Sequence, residues 1–280
     1  MNIRSLLISP RIIAILTISF LSPFLFYFQT NAATTSTGCA ITAVGKPQGE
    51  KPVCKTSSGT GLPGQPLPSD NPEEIKQALC NDYNVCPTSN SESAPDQDWT
   101  LTQLTALWNV VQKIYSSPDY KAYAIGNYTL EVTRAGCYPK GCDDTWGYYA
   151  GLAYPSWNTK AGARLVVITD NVPKDGAVAK IEWLIAHEIG HGASGGNVSG
   201  ELLDCLSCNE TAKQILACKS PVSNYSSSSD NEYTAEAISY YMTTAEEVNE
   251  GYNGSGGNIK TDFSCIYNAA MTGYFGDVEF

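Results

Sequence analysis

IEWLIAHEIGHG, residues 181–192, is the stretch on which the fold turns. Ile181, Leu184, Ile185 and Ile189 recur at helical spacing, and Gly192, Gly195 and Gly196 then stop the pattern. The stretch predicts a helix from Val178 to Gly192. On it His187 and His191 stand four residues apart, one turn above the other on one face. Two imidazoles so placed can meet a single metal ion at about 2.0–2.1 Å. Glu188 is rotated about 100° from His187, beside such an ion and not on it. There a carboxylate can take a proton from an attacking water. The chain has only two histidines, and this motif uses both.

A catalytic zinc ion needs a third protein ligand and one open position. With no third histidine, the ligand must be a carboxylate or a thiolate. Two acids compete. Glu210, in CNETAK, lies 19 residues after His191 and follows an Asn, which is similar to the Asn-Glu-x-x-Ser-Asp helix of thermolysin-like enzymes. Lys213 and Gln214 stand where that helix has Ser and Asp. Glu232, in NEYTAEAISYY, opens a second long helix expected over Asn231–Val248, and Glu236 follows one turn later on the same face. That pair could place one carboxylate on the metal and another behind it to hold a histidine. The plainer reading is a solvated acidic first turn favoured by the helix dipole.

HEIGH followed by E-Y-T-A-E-A resembles the paired helices of the anthrax lethal factor catalytic domain and the related secreted Pro-Pro endopeptidases. In that family a Tyr stands seven residues before the Glu ligand, as Tyr225 stands before Glu232 here. The resemblance covers about 50 residues, from His187 to Ile238. It implies a gluzincin-type zinc endopeptidase with His187, His191 and Glu232 as ligands. Glu188 would be the general base, Tyr225 the donor to the developing oxyanion, and Glu236 the acid behind the ligands. The cysteine-rich segment Cys205–Cys218 between the two helices has no counterpart in the resemblance.

Outward from this motif, Tyr128–Arg134 alternates, Gly147–Tyr154 is short and aromatic, and Arg164–Asp170 is an apolar run, so all three read as strands. Thr100 with Gln103 forms a capping-box signal ahead of Leu104, Leu107, Val111 and Ile114. A weaker helix is expected around Asp262–Met271. The fold class is therefore α+β. With the resemblance it becomes a zincin-like metallopeptidase domain: a small mixed sheet, an HExxH helix and a following helical part. RLVVITD (164–170) is the strand expected to form an edge for an extended peptide.

The division expected along the chain is a signal peptide over 1–32, a Cys-containing low-complexity tail or pro-segment over 33–95, and the catalytic domain over 96–280. Arg4 and Arg11 precede the apolar run Ile12–Phe28, and Thr30-Asn31-Ala32 resembles a cleavage site. Residues 34–95 are rich in Thr, Ser, Gly and Pro, with one short helix near Glu73–Leu79. The charge is 28 acidic against 17 basic residues, or −11. Removing the leader takes away two positive charges and no negative one, leaving −13. No basic stripe recurs, so nucleic acid is excluded as a partner. Ten cysteines beyond an export leader read as up to five disulfides, with Cys80–Cys86 and Cys137–Cys142 as local loops.

These readings give two expectations. One is a secreted zinc endopeptidase acting on peptide or protein substrates, free of the membrane once its leader is removed, or at the cell surface if the leader stays. The other is a secreted, disulfide-stapled binding or surface protein with a vestigial metal site. Sequons stand at Asn127, Asn197, Asn209, Asn224 and Asn253. A glycan on Asn224 would crowd Tyr225.

Overall fold

A computed structural model describes residues 59–89, 98–126, 129–134, 151–154, 163–168, 178–194, 197–198, 201–202, 209–243 and 259–280. All of them lie in one compact unit, Ser36–Phe280. The expected leader, the Gly147–Ala150 start of one predicted strand, Cys137 with Cys142, and the 244–248 end of the second long helix fall outside these residues.

The fold is mixed α and β. Four strands are hydrogen-bonded in the order β1-β2-β4-β3. β1 (Val85–Ser89), β2 (Thr129–Arg134) and β4 (Ala163–Ile168) run parallel, and β3 (Gly151–Tyr154) closes the far side antiparallel to β4. Every residue of β2 is buried, as a strand interior to a helix-covered sheet requires. β4, expected at an edge, is interior instead. Its unbroken apolar run, Leu165 to Ile168, is what a strand with neighbours on both sides carries. The edge beside the HExxH helix is β3.

Residues 59–89 pack into the folded body. α1 (Pro72–Tyr83) starts with Asn71 accepting from the Glu73 N–H and with Pro72 in the first turn. Its Ile75, Leu79 and Tyr83 enter the main hydrophobic core. β1 then pairs along its full length with β2, from Val85 opposite Leu130 to Ser89 opposite Arg134. The Gly/Pro-rich stretch before α1 is tied down by backbone bonds. Gly61 N–H donates to Asp82 O, Tyr83 Oη to Leu62 O, and Trp108 Nε1 to Gln65 O. Low complexity here reflects an extended path across two helices. The Cys80–Cys86 disulfide joins α1 to β1, as spacing suggested.

α2 (Leu101–Ser116) carries both bonds of the expected capping box: Thr100 Oγ1 accepts from Gln103 N–H, and Gln103 Oε1 from Thr100 N–H. α3 (Pro118–Ala124) follows at once. α4 (Val178–Ser194) is the predicted HExxH helix, two residues longer than expected. The two-residue strands β5 (Asn197–Val198) and β6 (Glu201–Leu202) pair with each other. α5 (Glu210–Ala217), α6 (Asp230–Met242), α7 (Ile259–Asp262) and α8 (Ser264–Gly273) complete the chain. α5 stands where the sequence suggested only a Ser/Cys-rich connection. α6 stops at Met242, with Thr243 in extended conformation. A second disulfide, Cys218–Cys265, ties the end of α5 to α8. Among the described residues no helix is long and apolar enough to cross a membrane.

α4 and α6 pack closely. A Cβ on Gly190 would stand 3.1 Å from Ala235 O and 3.2 Å from its Cα. The small residues of HEIGH and TAEA are therefore the contact itself: Gly190 and Ala235 let two backbones approach, and side chains one turn away face each other across a short gap.

Candidate metal centre

The close approach of α4 and α6 brings His187, His191 and Glu232 together, with one ligand atom from each within 4.8 Å of the others. His187 Nε2 lies 3.0 Å from Glu232 Oε2, His191 Nε2 lies 3.4 Å from it, and the two Nε2 atoms are 3.1 Å apart. A tetrahedral ion with bonds of about 2.0–2.1 Å holds its ligand atoms about 3.3–3.4 Å apart. The observed triangle is close to that size. Glu232 Oε2 makes no hydrogen bond of ordinary geometry despite two nitrogens so near. Three ligand atoms converging this closely form a group that could hold a metal ion.

Charge states at neutral pH agree. Burial pushes His187 down, and neighbouring His191 adds to the effect against the pull of Glu232. Burial also pulls Glu232 up, but the two imidazoles outweigh it and hold the carboxyl well below the usual range. A neutral imidazole and an ionised carboxylate are the forms a metal binds. Trp183, one turn earlier on α4, stacks on the His187 ring at 5.4 Å between centroids and fixes its plane.

Glu188 is buried beside the triad. Burial, with the Glu232 charge adding and His191 opposing, pushes its carboxyl up to about 7. β3 presses on it: a Cβ on Gly151 would come within 2.5 Å of Glu188 Oε1 and 2.6 Å of its Cγ. Only glycine leaves room for this carboxylate under the strand. Nothing in the sequence marked Gly151 beyond its place in a short aromatic segment.

Tyr225 reaches the site from the loop before α6. Its ring centroid is 6.0 Å from that of His187, and the residue is 47% exposed. Partial burial, the charges of Glu232 and Glu188, and a bond to Glu232 all raise its hydroxyl pKa, so it remains a proton-bearing donor.

Glu236 lies buried behind the triad, but its partner differs from the expected one. The Ser223 hydroxyl donates to Glu236 Oε2, while His187 Nδ1 is buried without a hydrogen-bond partner. Helical side chains lean toward the N-terminal turn, and here that direction leads to the 220–226 loop and not to α4. Burial pushes Glu236 up to about 7, against the opposing Ser223 bond.

Glu210, the alternative ligand, stands on the outside. Its side chain is 75% exposed and pairs with Lys213 at 3.2 Å. The neighbouring Asn209, a sequon and the Asn of the Asn-Glu pair in the sequence, carries the structural role. It is 4% exposed. Its Oδ1 accepts from Ala212 N–H at the start of α5, and its Nδ2 donates to Ala193 O, Ser194 O and Tyr274 Oη. One amide thus caps α5 and closes the carbonyl end of α4, the helix that carries the two histidines.

No family model matches the chain, and no curated protein matches it.

Proposed function

We propose that this protein is a secreted zinc endopeptidase with a zincin-like catalytic domain, His187, His191 and Glu232 holding the ion. The observation that carries this reading is the convergence of those three ligand atoms beside a buried carboxylate, Glu188, and a phenol, Tyr225. Zinc, when bound, supplies a Lewis acid that polarises a carbonyl and lowers the pKa of water. The remaining work falls to the chain's own side chains. Glu188, buried beside the triad, is placed to act as a general base. It accepts a proton from the attacking water and returns it to the leaving amine. Tyr225 keeps its proton and donates to the oxygen on which negative charge develops. An extended peptide added antiparallel to the outer side of β3 would run past Gly151, directly above Glu188. The backbone there offers the hydrogen bonds and the glycine offers the clearance.

Incubating the purified protein with a diverse peptide library, with and without chelator, and reading products by mass spectrometry tests the proposal. Chelator-sensitive cleavage that zinc restores supports it. Stoichiometric metal binding with no cleavage of any peptide would move the chain to the binding-protein reading.

A further inference from the structure

We propose that Ser223 is a positioning residue for Tyr225, bolting the turn that carries the tyrosine onto Glu236 of α6. This deepens the peptidase reading and rests on it for its kinetic consequence only.

The chain enters this region firmly held. Cys218 is stapled to Cys265, Ser220 N–H donates to Tyr233 Oη at 3.0 Å, and Val222 is buried. Residues 223–226 then close on themselves. Ser226 N–H donates to Ser223 Oγ at 2.9 Å, Ser223 N–H donates to Ser226 Oγ at 3.0 Å, and Ser226 Oγ donates to Ser223 O at 2.7 Å. Asn224 and Tyr225 are the two central residues of this locked turn, and both are exposed where Ser223 and Ser226 are buried. The turn is rigid within itself, yet a rigid turn still needs fixing to the body. Ser223 does this together with the Ser226 backbone, which also bonds to Glu236: the Ser223 hydroxyl accepts from Ser226 N–H while donating to Glu236 Oε2, so it supplies the side-chain half of the anchor. A hydroxyl is the smallest group that can do both.

Glu236 in turn stands one helical turn after Glu232. α6 therefore sets two distances with one backbone: Glu232 faces the histidines, and Glu236 anchors the turn that places Tyr225 beside them. This gives the second carboxylate a task the sequence did not suggest, since it serves the tyrosine and not a histidine.

Placing 3-fluorotyrosine at position 225 alone and recording fluorine spectra of zinc-free and zinc-loaded protein reads the position of the ring without any turnover. Ser223→Ala is expected to shift and broaden that resonance in both states. Ser223→Thr, which keeps the hydroxyl, should restore it. In kinetics, Ser223→Ala should lower kcat about 10- to 100-fold with KM and zinc affinity nearly unchanged, the scale of a misplacement of about 1 Å. Ser223→Thr should recover most of the loss. In the Tyr225→Phe background Ser223→Ala should add less than about twofold, because the two act through one group. Should Ser223→Ala fail to fold, Ser223→Cys, similar in shape but a weak donor, carries the same comparison. An unmoved fluorine resonance, or a fully additive double-mutant loss, overturns the proposal. If the wild type cleaves no peptide, the peptidase reading fails while the fluorine comparison still decides the role of Ser223.

Discussion

Asn209→Asp separates two accounts of how the helix that carries His187 and His191 is terminated. If Asn209 were only an N-cap for α5, Asp would serve as well, since both rank among the best capping residues. The structure assigns it more. Its Oδ1 caps Ala212 N–H at 3.1 Å, and its Nδ2 donates to Ala193 O at 3.2 Å, Ser194 O at 3.2 Å and Tyr274 Oη at 2.9 Å. Asp keeps the cap but turns an acceptor toward two buried carbonyls. Each buried polar group left without its partner costs about 1–3 kcal/mol. Two or three such groups, softened by local adjustment, give about 3 kcal/mol. Asn209→Ala loses the cap as well, about 1 kcal/mol more, but brings no new repulsion, so both variants should fall near the same value. For a domain of this size about 3 kcal/mol corresponds to a Tm lower by roughly 6–12 °C. Thermal unfolding followed by circular dichroism or calorimetry measures it. An Asn209→Asp protein within about 0.5 kcal/mol of wild type would show that the donor side of the amide does not matter. The same burial predicts that Asn209 stays unglycosylated in a glycosylating host, which intact mass reveals.

Glu232→Ala should abolish tight zinc binding in calorimetric titration while Glu210→Ala leaves it unchanged; the reverse result would return the ligand role to the α5 side. Glu188→Gln should keep zinc yet lose nearly all turnover, and loss of metal instead would make Glu188 part of the ligand cage. Tyr225→Phe should lower kcat about 100- to 1,000-fold with little change in KM, and activity within threefold of wild type would remove the phenol from the chemistry. In the metal-free protein Glu188 and Glu236, both pushed up to about 7 by burial, hold protons that the unfolded chain has released. Their contribution to stability therefore falls as pH rises from about 4.5 to 7. His187, shifted down by burial, works the other way below about 6.5 and offsets one of them. Tm should thus decline between about pH 6 and 7.5, and Glu236→Gln should flatten that decline; an unchanged slope would refute the assignment.

The helices legible in the sequence were those whose signal is local. α4 shows its apolar stripe and its glycine stop, and α2 shows a capping box that the structure reproduces bond for bond. β1 was hidden because VCPTS contains Pro87, which reads as a breaker. On a strand paired from one side only, a missing N–H is tolerated. α5 was hidden by its length of eight residues and by the cysteines around it, although Ala212 and Ile215 mark its buried side. The position of β4 was legible and misjudged, since a continuous apolar run argues for an interior strand. The candidate site divides in the same way. His187, His191 and Glu188 follow from spacing within one helix. Glu232 and Glu210 both stand in the sequence as candidates for a third ligand, and the packing of α4 on α6 brings Glu232, not Glu210, to the two histidines. Gly151 and Ser223 act through contacts between distant segments, which no local pattern carries.

The i, i+4 spacing is used twice, on two helices crossing at one point. His187 and His191 lie one turn apart on α4; Glu232 and Glu236 lie one turn apart on α6. Gly190 and Ala235 meet between them. Because both residues at the crossing are small, the backbones approach closely enough for a carboxylate to span the gap to two imidazoles. A Cβ at position 190 would make the neighbouring backbone give by a few tenths of an ångström, which shifts α6 and with it Glu232 relative to the two Nε2 atoms. The three candidate ligands are thus brought together by a contact that includes none of them. Gly190→Ala is therefore the smallest change that should weaken metal binding without altering a ligand. Its added methyl would stand 3.1 Å from Ala235 O, tighter than ordinary contact, so the facing backbone of α6 must give by a few tenths of an ångström.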